Sequence, residues 1–236
     1  MLKESSPRSN RSTSYDGKPL IRLVLFDVDG VLLDSLGPHL RICRDKSREY
    51  GLDLAIPTEA ELCTMVKQGV VISPMVRFFE AVGFPAGLAE KADADYQQIF
   101  MTHYPPTPYA GVREMLGNLH RAGFMLGVVT SNVRSNIDGP LGASMALFRG
   151  DCVFTKDGAA EFSKATAIED AIRRCDVDRS ETVYIGDQPA DVQAAARAGV
   201  TFVGAAYGWG ISRDEAGMAT IATADAMTPA FLRALT

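Results

Sequence analysis

The chain has 236 residues, of which 47% are hydrophobic and 22% charged. These proportions are close to the globular average, so they exclude collagen, coiled coil and low-complexity assemblies. The length suits one large domain with a sizeable insertion as well as a tandem pair of domains. A net charge of -5 has the wrong sign for binding a phosphate backbone, so we expect no nucleic acid partner.

The cysteines and the N-terminal segment bear on where the protein works. The four cysteines are scattered, without a C-x-x-C pair or a histidine at zinc spacing, which favours a reduced, cytoplasmic chain. No apolar run approaches the roughly 18 residues of a membrane span, and no secretory signal is recognisable, so we expect no membrane association. Residues 1–19 are rich in Ser, Arg and Lys and are predicted to be a disordered leader, with a transit peptide as the alternative.

Predicted strands and helices alternate over most of the chain. The apolar runs that predict strands are residues 21–26, 125–129, 182–185 and 201–203. The helical patterns between them are residues 112–122, 163–175 and 191–198. Each apolar run stops at small or polar residues, as strands buried on both faces do. The alternation predicts an α/β fold, with a Rossmann-like parallel sheet core and helices on both faces.

Residues 35–107 break this alternation and contain no convincing strand pair. They show four helical patterns instead, and one of these begins at Thr58 with Glu61 at the spacing of a capping box. We therefore predict an inserted four-helix cap of residues 35–107, called the cap segment below. The α/β core then comprises residues 20–34 and 108–236.

Polar side chains follow several of the predicted strands. These residues are Asp27, Asp29, Thr130, Ser131, Asp187 and Asp191. Ligands in open α/β sheets bind beyond the carboxyl ends of the strands, so we expect these side chains to share one site. Carboxylates brought together repel one another unless protons or a cation offset their charge. An all-oxygen set of ligands suits Mg²⁺.

The order of these motifs resembles the haloacid dehalogenase superfamily over residues 23–210. Residues 27–31 (DVDGV) are similar to its first motif, D-x-D-G-[TV], at the end of the first strand. Residues 128–130 (VVT) are similar to the second motif, a hydrophobic strand that ends in Thr or Ser. Lys164 is the candidate for the third, and residues 186–191 (GDQPAD) match the fourth, G-D-x-x-x-D.

This resemblance implies catalytic roles. Asp27 would be the nucleophile that forms an aspartyl-phosphate intermediate, and Asp29 would be the general acid and then the general base. Thr130, Ser131 and Lys164 would bind the phosphoryl oxygens, with Thr130 and Lys164 stabilising the charge that builds up in the transition state.

The resemblance also implies a magnesium site. Its ligands would be Asp27, the backbone carbonyl of Asp29, Asp187 and, in or just behind the first coordination sphere, Asp191. The lysine assignment leaves an alternative open, because Lys156 lies about two helical turns before Lys164 and the family's common G-K-P sequence is absent.

The carboxyl group of Asp29 and the cap segment together favour one reaction. Dehalogenases of this superfamily lack an acid at the second position, so Asp29 favours phosphoryl transfer from an oxygen ester. The insertion resembles the helical cap of phosphoglycolate phosphatase and β-phosphoglucomutase, which implies a small phosphorylated metabolite as substrate.

The function we predict is a magnesium-dependent phosphatase for small organic phosphate monoesters of the phosphoglycolate or sugar-phosphate type, acting as a monomer or homodimer. A phosphomutase is the alternative within enzymes. A phosphate-receiving signalling module fits the order of motifs poorly, and a catalytically silent binding protein is the third hypothesis.

Two further features are interpreted as structural. His39, His103 and His120 are isolated in the sequence and lie in or beside predicted helices, so we interpret them as surface or packing residues. The Gly-Trp-Gly sequence at residues 208–210 is interpreted as a loop rather than a cofactor site.

Overall fold

The computed structural model describes residues 20–157, 162–213 and 217–235. The predicted leader of residues 1–19 lies outside the described residues. Within these three ranges, none of the helices combines the length and the apolar character that crossing a membrane requires.

A six-stranded parallel sheet in the order β5-β4-β1-β6-β7-β8 lies at the centre of the fold. A separate two-stranded sheet pairs β2 with β3 in antiparallel register. The strands are β1 (Leu23–Phe26), β2 (Leu33–Asp34), β3 (Thr107–Pro108), β4 (Met125–Val129), β5 (Val153–Phe154), β6 (Thr182–Gly186), β7 (Thr201–Ala205) and β8 (Ala219–Ile221). The predicted α/β fold with a Rossmann-like sheet is confirmed.

Helices connect the strands, and the connections include short 3-10 turns. The helices are α1 (Leu36–Glu49), α2 (Glu59–Lys67), α3 (Met75–Ala81), α4 (Ala86–His103), α5 (Val112–Arg121), α6 (Ser135–Leu141), α7 (Lys164–Cys175), α8 (Pro189–Ala198) and α9 (Pro229–Arg233). The 3-10 turns are Gly142–Leu147, Gly150–Cys152, Arg179–Glu181 and Ala224–Ala226. The predicted capping box is present, because Thr58 and Glu61 exchange side-chain to backbone hydrogen bonds at the start of α2.

The alternation of side chains along β1 divides the core between the two faces of the sheet. Val24 and Phe26 belong to an apolar cluster that includes side chains of α5, α6 and α9. Leu23 and Leu25 belong to a second cluster that includes side chains of α7 and α8. Because both faces are covered by helices, a run that is apolar at every position is what this strand requires.

The cap segment has an apolar cluster of its own, built from α1 to α4 and their connections. The two ends of the cap segment lie side by side, because β2 and β3, which flank it, pair in antiparallel register. Trp209 also belongs to this cluster, although it follows β7 in the sheet. The division of the chain into separate core and cap domains stays a prediction.

Candidate active site

Three aspartates come together beyond the carboxyl ends of β1 and β6. Asp27 follows β1, Asp187 follows β6, and Asp191 lies in the first turn of α8. One carboxylate oxygen of each lies within 4.8 Å of the others, and we call these residues the aspartate group. They are 3%, 0% and 0% exposed. Adjacent parallel strands end at the same edge of a sheet, so the pairing of β1 with β6 is what joins the first and fourth motifs.

Lys164, the first residue of α7, lies between two members of the aspartate group. Its Nζ donates hydrogen bonds to Asp27 Oδ2 at 2.7 Å and to Asp191 Oδ1 at 2.6 Å. Burial alone would lower the pKa of Lys164, but the Asp191 and Asp27 carboxylates raise it above its ordinary value. The ammonium group therefore stays charged. Lys156, the alternative for the same role, is exposed.

The Asp191 carboxylate is surrounded by hydrogen-bond donors. Besides Lys164, the Tyr184 hydroxyl lies 3.1 Å from Oδ1. Oδ2 accepts hydrogen bonds from the backbone N–H groups of Asp187 at 3.2 Å and Gln188 at 3.1 Å. Because a carboxylate has about four acceptor positions, a cation would have to displace one of these donors to bind Asp191 directly. Asp191 thus orients Lys164 and the first turn of α8.

Asp27 and Asp187 each keep one buried carboxylate oxygen without a hydrogen-bond partner. These atoms are Asp27 Oδ1 and Asp187 Oδ1. Burial raises the pKa of Asp27 to about 6, and burial together with the Asp191 charge raises the pKa of Asp187 well above its ordinary value. Protons or a cation must offset these charges. With three carboxylates and one lysine, the site matches the charge of a hard divalent cation that prefers oxygen ligands.

The side chain of Asp29 lies outside the aspartate group and is held by two other residues. Oδ1 accepts a hydrogen bond from Ser35 Oγ at 2.5 Å, and Oδ2 accepts one from Asn132 Nδ2 at 2.7 Å. Ser35 immediately precedes α1 of the cap segment, whereas Asn132 follows β4. The carboxylate of Asp29 is therefore oriented from the cap segment and from the core at once.

Thr130 and Ser131 follow β4, which is the neighbour of β1 on the side opposite to β6. Thr130 is buried, and its Oγ1 accepts a hydrogen bond from the backbone N–H of Asn132 at 3.2 Å. Ser131 is exposed. Both residues thus lie at the same edge of the sheet as Asp27, as the sequence predicted.

The loop after β7 makes contacts that the sequence did not reveal. The backbone N–H of Trp209 donates a hydrogen bond to Asp187 Oδ2 at 2.8 Å. Gly208 lies so close that a β-carbon there would overlap Asp187 and the carbonyl of Gly30. The interpretation of residues 208–210 as a loop is correct, but this loop is part of the site.

Of the three histidines, His39 is a packing residue and the other two are exposed. His39 is 5% exposed, and its Nε2 lies 3.1 Å from the Tyr96 hydroxyl. Its Nδ1 makes no hydrogen bond of normal geometry. Burial lowers the pKa of His39 to about 4, so the ring is uncharged at neutral pH. His103 and His120 lie on the surface.

Gly30→Ala is expected to destabilise the fold more than Gly69→Ala. Both glycines have a positive φ, of 78° and 94°, so alanine at either position costs about 1–2 kcal/mol in backbone strain. A β-carbon at Gly30 would also overlap the Asp187 carboxylate, whereas nothing lies within 4 Å of one at Gly69. Thermal unfolding of the two variants measures the difference, and equal losses would contradict the close approach of Gly30 to Asp187.

The parallel sheet and the buried carboxylates at its strand ends define an α/β protein with an acidic candidate site. Residues 24–205 match the model of the haloacid dehalogenase-like hydrolase family. The chain belongs to this family and is a hydrolase, which confirms the resemblance found in the motifs.

Two curated relatives extend over most of the chain. The phosphoglycolate phosphatase of Rhodospirillum rubrum is 31% identical over 206 residues, which cover 80% of this chain and 80% of that protein. The phosphoglycolate phosphatase of Agrobacterium fabrum is 29% identical over 203 residues, which cover 81% of this chain and 83% of that protein.

Two solved structures share the fold. CbbY from Rhodobacter sphaeroides in complex with phosphate has a TM-score of 0.63 at 21% identity and covers 87% of this chain and 96% of its own. A haloacid dehalogenase-like hydrolase from Streptococcus pneumoniae has a TM-score of 0.68 at 17% identity, and the match covers 85% of this chain and 93% of that protein.

Proposed function

We propose that the chain is a magnesium-dependent phosphatase that hydrolyses small phosphate monoesters of the phosphoglycolate or sugar-phosphate type through an aspartyl-phosphate. The observation that carries this proposal is the hydrogen bond from Lys164 to Asp27. It places a charged ammonium group beside a buried carboxylate, one oxygen of which has no hydrogen-bond partner. The curated relatives named phosphoglycolate phosphatase support the class of substrate.

Asp27 is the proposed nucleophile. One of its carboxylate oxygens attacks phosphorus while the bond from phosphorus to the ester oxygen breaks, which leaves an aspartyl-phosphate on the enzyme. Lys164 reaches the Asp27 carboxylate and is therefore placed to stabilise the negative charge on the transferred phosphoryl group. Thr130, buried at the end of the neighbouring strand, is the proposed hydroxyl donor to the same group.

Asp29 is the proposed acid and base. It donates a proton to the departing alkoxide, and it then takes a proton from the water that attacks phosphorus of the aspartyl-phosphate. That second attack releases inorganic phosphate and restores the Asp27 carboxylate. Ser35 and Asn132 each donate one hydrogen bond to a different oxygen of Asp29, which leaves acceptor positions on the carboxylate free for a proton.

Mg²⁺ would be held by Asp27 and Asp187, whose unpartnered oxygens fit an oxygen-binding cation. The carbonyl of Asp29 belongs to the predicted ligand set, and Asp191, whose acceptor positions are taken by other donors, would lie just behind the first coordination sphere. When bound, the ion offsets the charge of the carboxylates and of the substrate phosphate. The cap segment contacts the site through the hydrogen bond from Ser35 to Asp29. A helical cap over the site favours small substrates because a macromolecule would have little access to it.

The proposal is tested by a phosphate-release screen with Mg²⁺ over phosphoglycolate, sugar phosphates, nucleotides and a generic aryl phosphate. We expect release of inorganic phosphate from at least one small monoester, and loss of that release on removal of Mg²⁺ with a chelator. Absence of release from every compound would overturn the proposal. The phosphomutase alternative is not favoured by the relatives, and a hexose-phosphate isomerisation assay separates it from hydrolysis.

Mg²⁺ is expected to stabilise the protein more at pH 7.5 than at pH 5. Because the pKa of Asp27 is raised to about 6, its own contribution to the stability of the metal-free fold is fully present below its ordinary pKa of 3.8, where Asp27 is protonated in both the folded and the unfolded state. That contribution is lost as the pH rises through about 6, and Mg²⁺ then binds without displacing this proton. A concentration of about 100 times the dissociation constant would add about 2.7 kcal/mol at the higher pH.

Thermal unfolding with and without Mg²⁺ at the two pH values measures this difference. Equal stabilisation by Mg²⁺ at both pH values would contradict the competition between the ion and the Asp27 proton.

A further inference from the structure

The backbone of residues 208–210 encloses Asp187. Trp209 donates its backbone N–H to Asp187 Oδ2 at 2.8 Å, and Gly210 donates its own to the Asp187 carbonyl at 2.9 Å. The loop therefore donates hydrogen bonds both to the side chain and to the backbone carbonyl of Asp187. A displacement of the loop must move the Asp187 carboxylate or break these hydrogen bonds.

The side chain of Trp209 lies among residues of the cap segment. The indole is 5% exposed and belongs to the apolar cluster of α1 to α4. It meets the ring of His39 edge to face at a centroid distance of 5.9 Å. His39 in turn stacks on Phe100 of α4 at 4.7 Å with the rings nearly parallel. The backbone of Trp209 thus touches the candidate metal site, while its ring packs in the apolar cluster of the cap segment.

The loop has no spare room on either side of Trp209. A β-carbon at Gly208 would overlap Asp187, and one at Gly210 would lie 2.9 Å from Val66 Cγ1 in α2. This spacing is tighter than ordinary contacts between carbon atoms. The loop is therefore confined between α2 of the cap segment and Asp187.

We propose that Trp209 is a positioning residue through which the cap segment sets the affinity of Asp187 for Mg²⁺. This inference rests on the proposed function in one respect, the assignment of Asp187 as a ligand of Mg²⁺. Coupling between two sites is reciprocal, so Mg²⁺ at Asp187 must also change the surroundings of the Trp209 ring. Trp209 is the single tryptophan of the chain, so its fluorescence reports on this ring alone.

The first experiment titrates the full chain with Mg²⁺ in the absence of substrate and records tryptophan emission. We expect a saturable change in intensity or wavelength that follows Mg²⁺ binding measured by calorimetry. Asp187→Asn is expected to lose both signals. Binding of Mg²⁺ by calorimetry without any change in emission would overturn the coupling.

The second experiment removes a neighbour of the indole that touches no carboxylate of the aspartate group. His39→Leu is expected to weaken Mg²⁺ binding about tenfold, the low end of the effect of residues that support metal ligands. His39 carries no charge at neutral pH, since burial lowers its pKa to about 4, so electrostatics would not account for the loss.

Phe84→Leu is the matched control. Phe84 is 4% exposed, belongs to the same apolar cluster and packs its ring on Tyr50 and Phe79, away from the indole. We expect this variant to unfold at a lower temperature but to bind Mg²⁺ within about twofold of the wild type. Equal weakening by both variants would indicate general loosening of the cap segment and overturn the coupling.

The experiments can disprove the coupling and the proposed reaction independently of each other. If the fluorescence and affinity results are as expected but the wild type releases no phosphate from any monoester, the coupling stands and the phosphatase proposal falls. If phosphate is released but His39→Leu binds Mg²⁺ as the wild type does, the coupling falls alone. Absence of Mg²⁺ binding would also overturn the coupling, whatever the phosphate assay shows.

Discussion

Asp27→Asn is expected to lower kcat for phosphate release by about 10³-fold or more, the scale of losing a nucleophile. An amide of nearly the same size cannot form the acyl phosphate, and it removes the charge that Lys164 contacts at 2.7 Å. Steady-state kinetics on the best substrate of the screen measures the loss. Mass spectrometry of acid-quenched wild type should show the phosphoryl adduct, which the variant should lack.

The fold of Asp27→Asn is expected to survive. Burial raises the pKa of Asp27 to about 6, so at pH 7.5 the ionised carboxylate opposes folding and its neutral replacement relieves that cost. The metal-free variant should unfold at a temperature equal to or above that of the wild type. A variant that keeps more than about a tenth of the wild-type kcat would contradict the role of Asp27 as nucleophile.

The aspartate group could be predicted because two of its members, Asp27 and Asp187, come directly after predicted strands. The apolar run before Asp27 and the run before Asp187 both correspond to strands, at Leu23–Phe26 and Thr182–Gly186. Parallel strands bring their carboxyl ends to one edge, so predicting the strands was enough to predict that the carboxylates lie at the same edge of the sheet. What the pattern could not give is the pairing of β1 with β6, which comes from the packing of the whole sheet.

Short edge strands were missed for a physical reason. Val153–Phe154 has two residues and Ala219–Ile221 has three, so neither offers enough positions for a periodic pattern to be recognised. Both form the ends of the sheet order, where a strand pairs with one neighbour and needs less apolar sequence. The adjacent β4 and β7, which are paired on both sides, were predicted.

The residues that orient the carboxylates could not be identified from spacing. Asn132 lies 103 positions from Asp29, and Trp209 lies 22 positions from Asp187 and bonds to it through its backbone. A backbone donor leaves no mark on the residue type, and a side-chain amide far along the chain has many possible partners. Tyr184, in the middle of a predicted strand, was counted as apolar, although its hydroxyl lies 3.1 Å from Asp191 Oδ1.

The choice between two lysines was open in the sequence because they lie eight positions apart and neither has the family's usual neighbours. Position in the fold separates them. Lys164 begins α7, and its stem crosses to Asp27 and Asp191, whereas Lys156 lies on the surface between β5 and the start of that helix. The difference predicts opposite outcomes for the same substitution at the two positions.

Lys164→Met is expected to lower kcat by about 10²-fold or more, the effect of losing one group that stabilises the transition state. It should also destabilise the fold by about 3–5 kcal/mol at pH 7.5, because two buried carboxylates lose their shared cation. That loss should shrink towards pH 5, where Asp27, with its pKa already raised to about 6, takes up a proton instead.

Lys156→Met is the matched control, and we expect its kcat and its free energy of unfolding to stay close to those of the wild type because the side chain is exposed. Denaturant unfolding at the two pH values and steady-state kinetics measure both variants side by side. If Lys156→Met lost activity as Lys164→Met is expected to, the phosphate-binding role would move to Lys156. Lys164 would then be left as the partner that keeps Asp27 and Asp191 together.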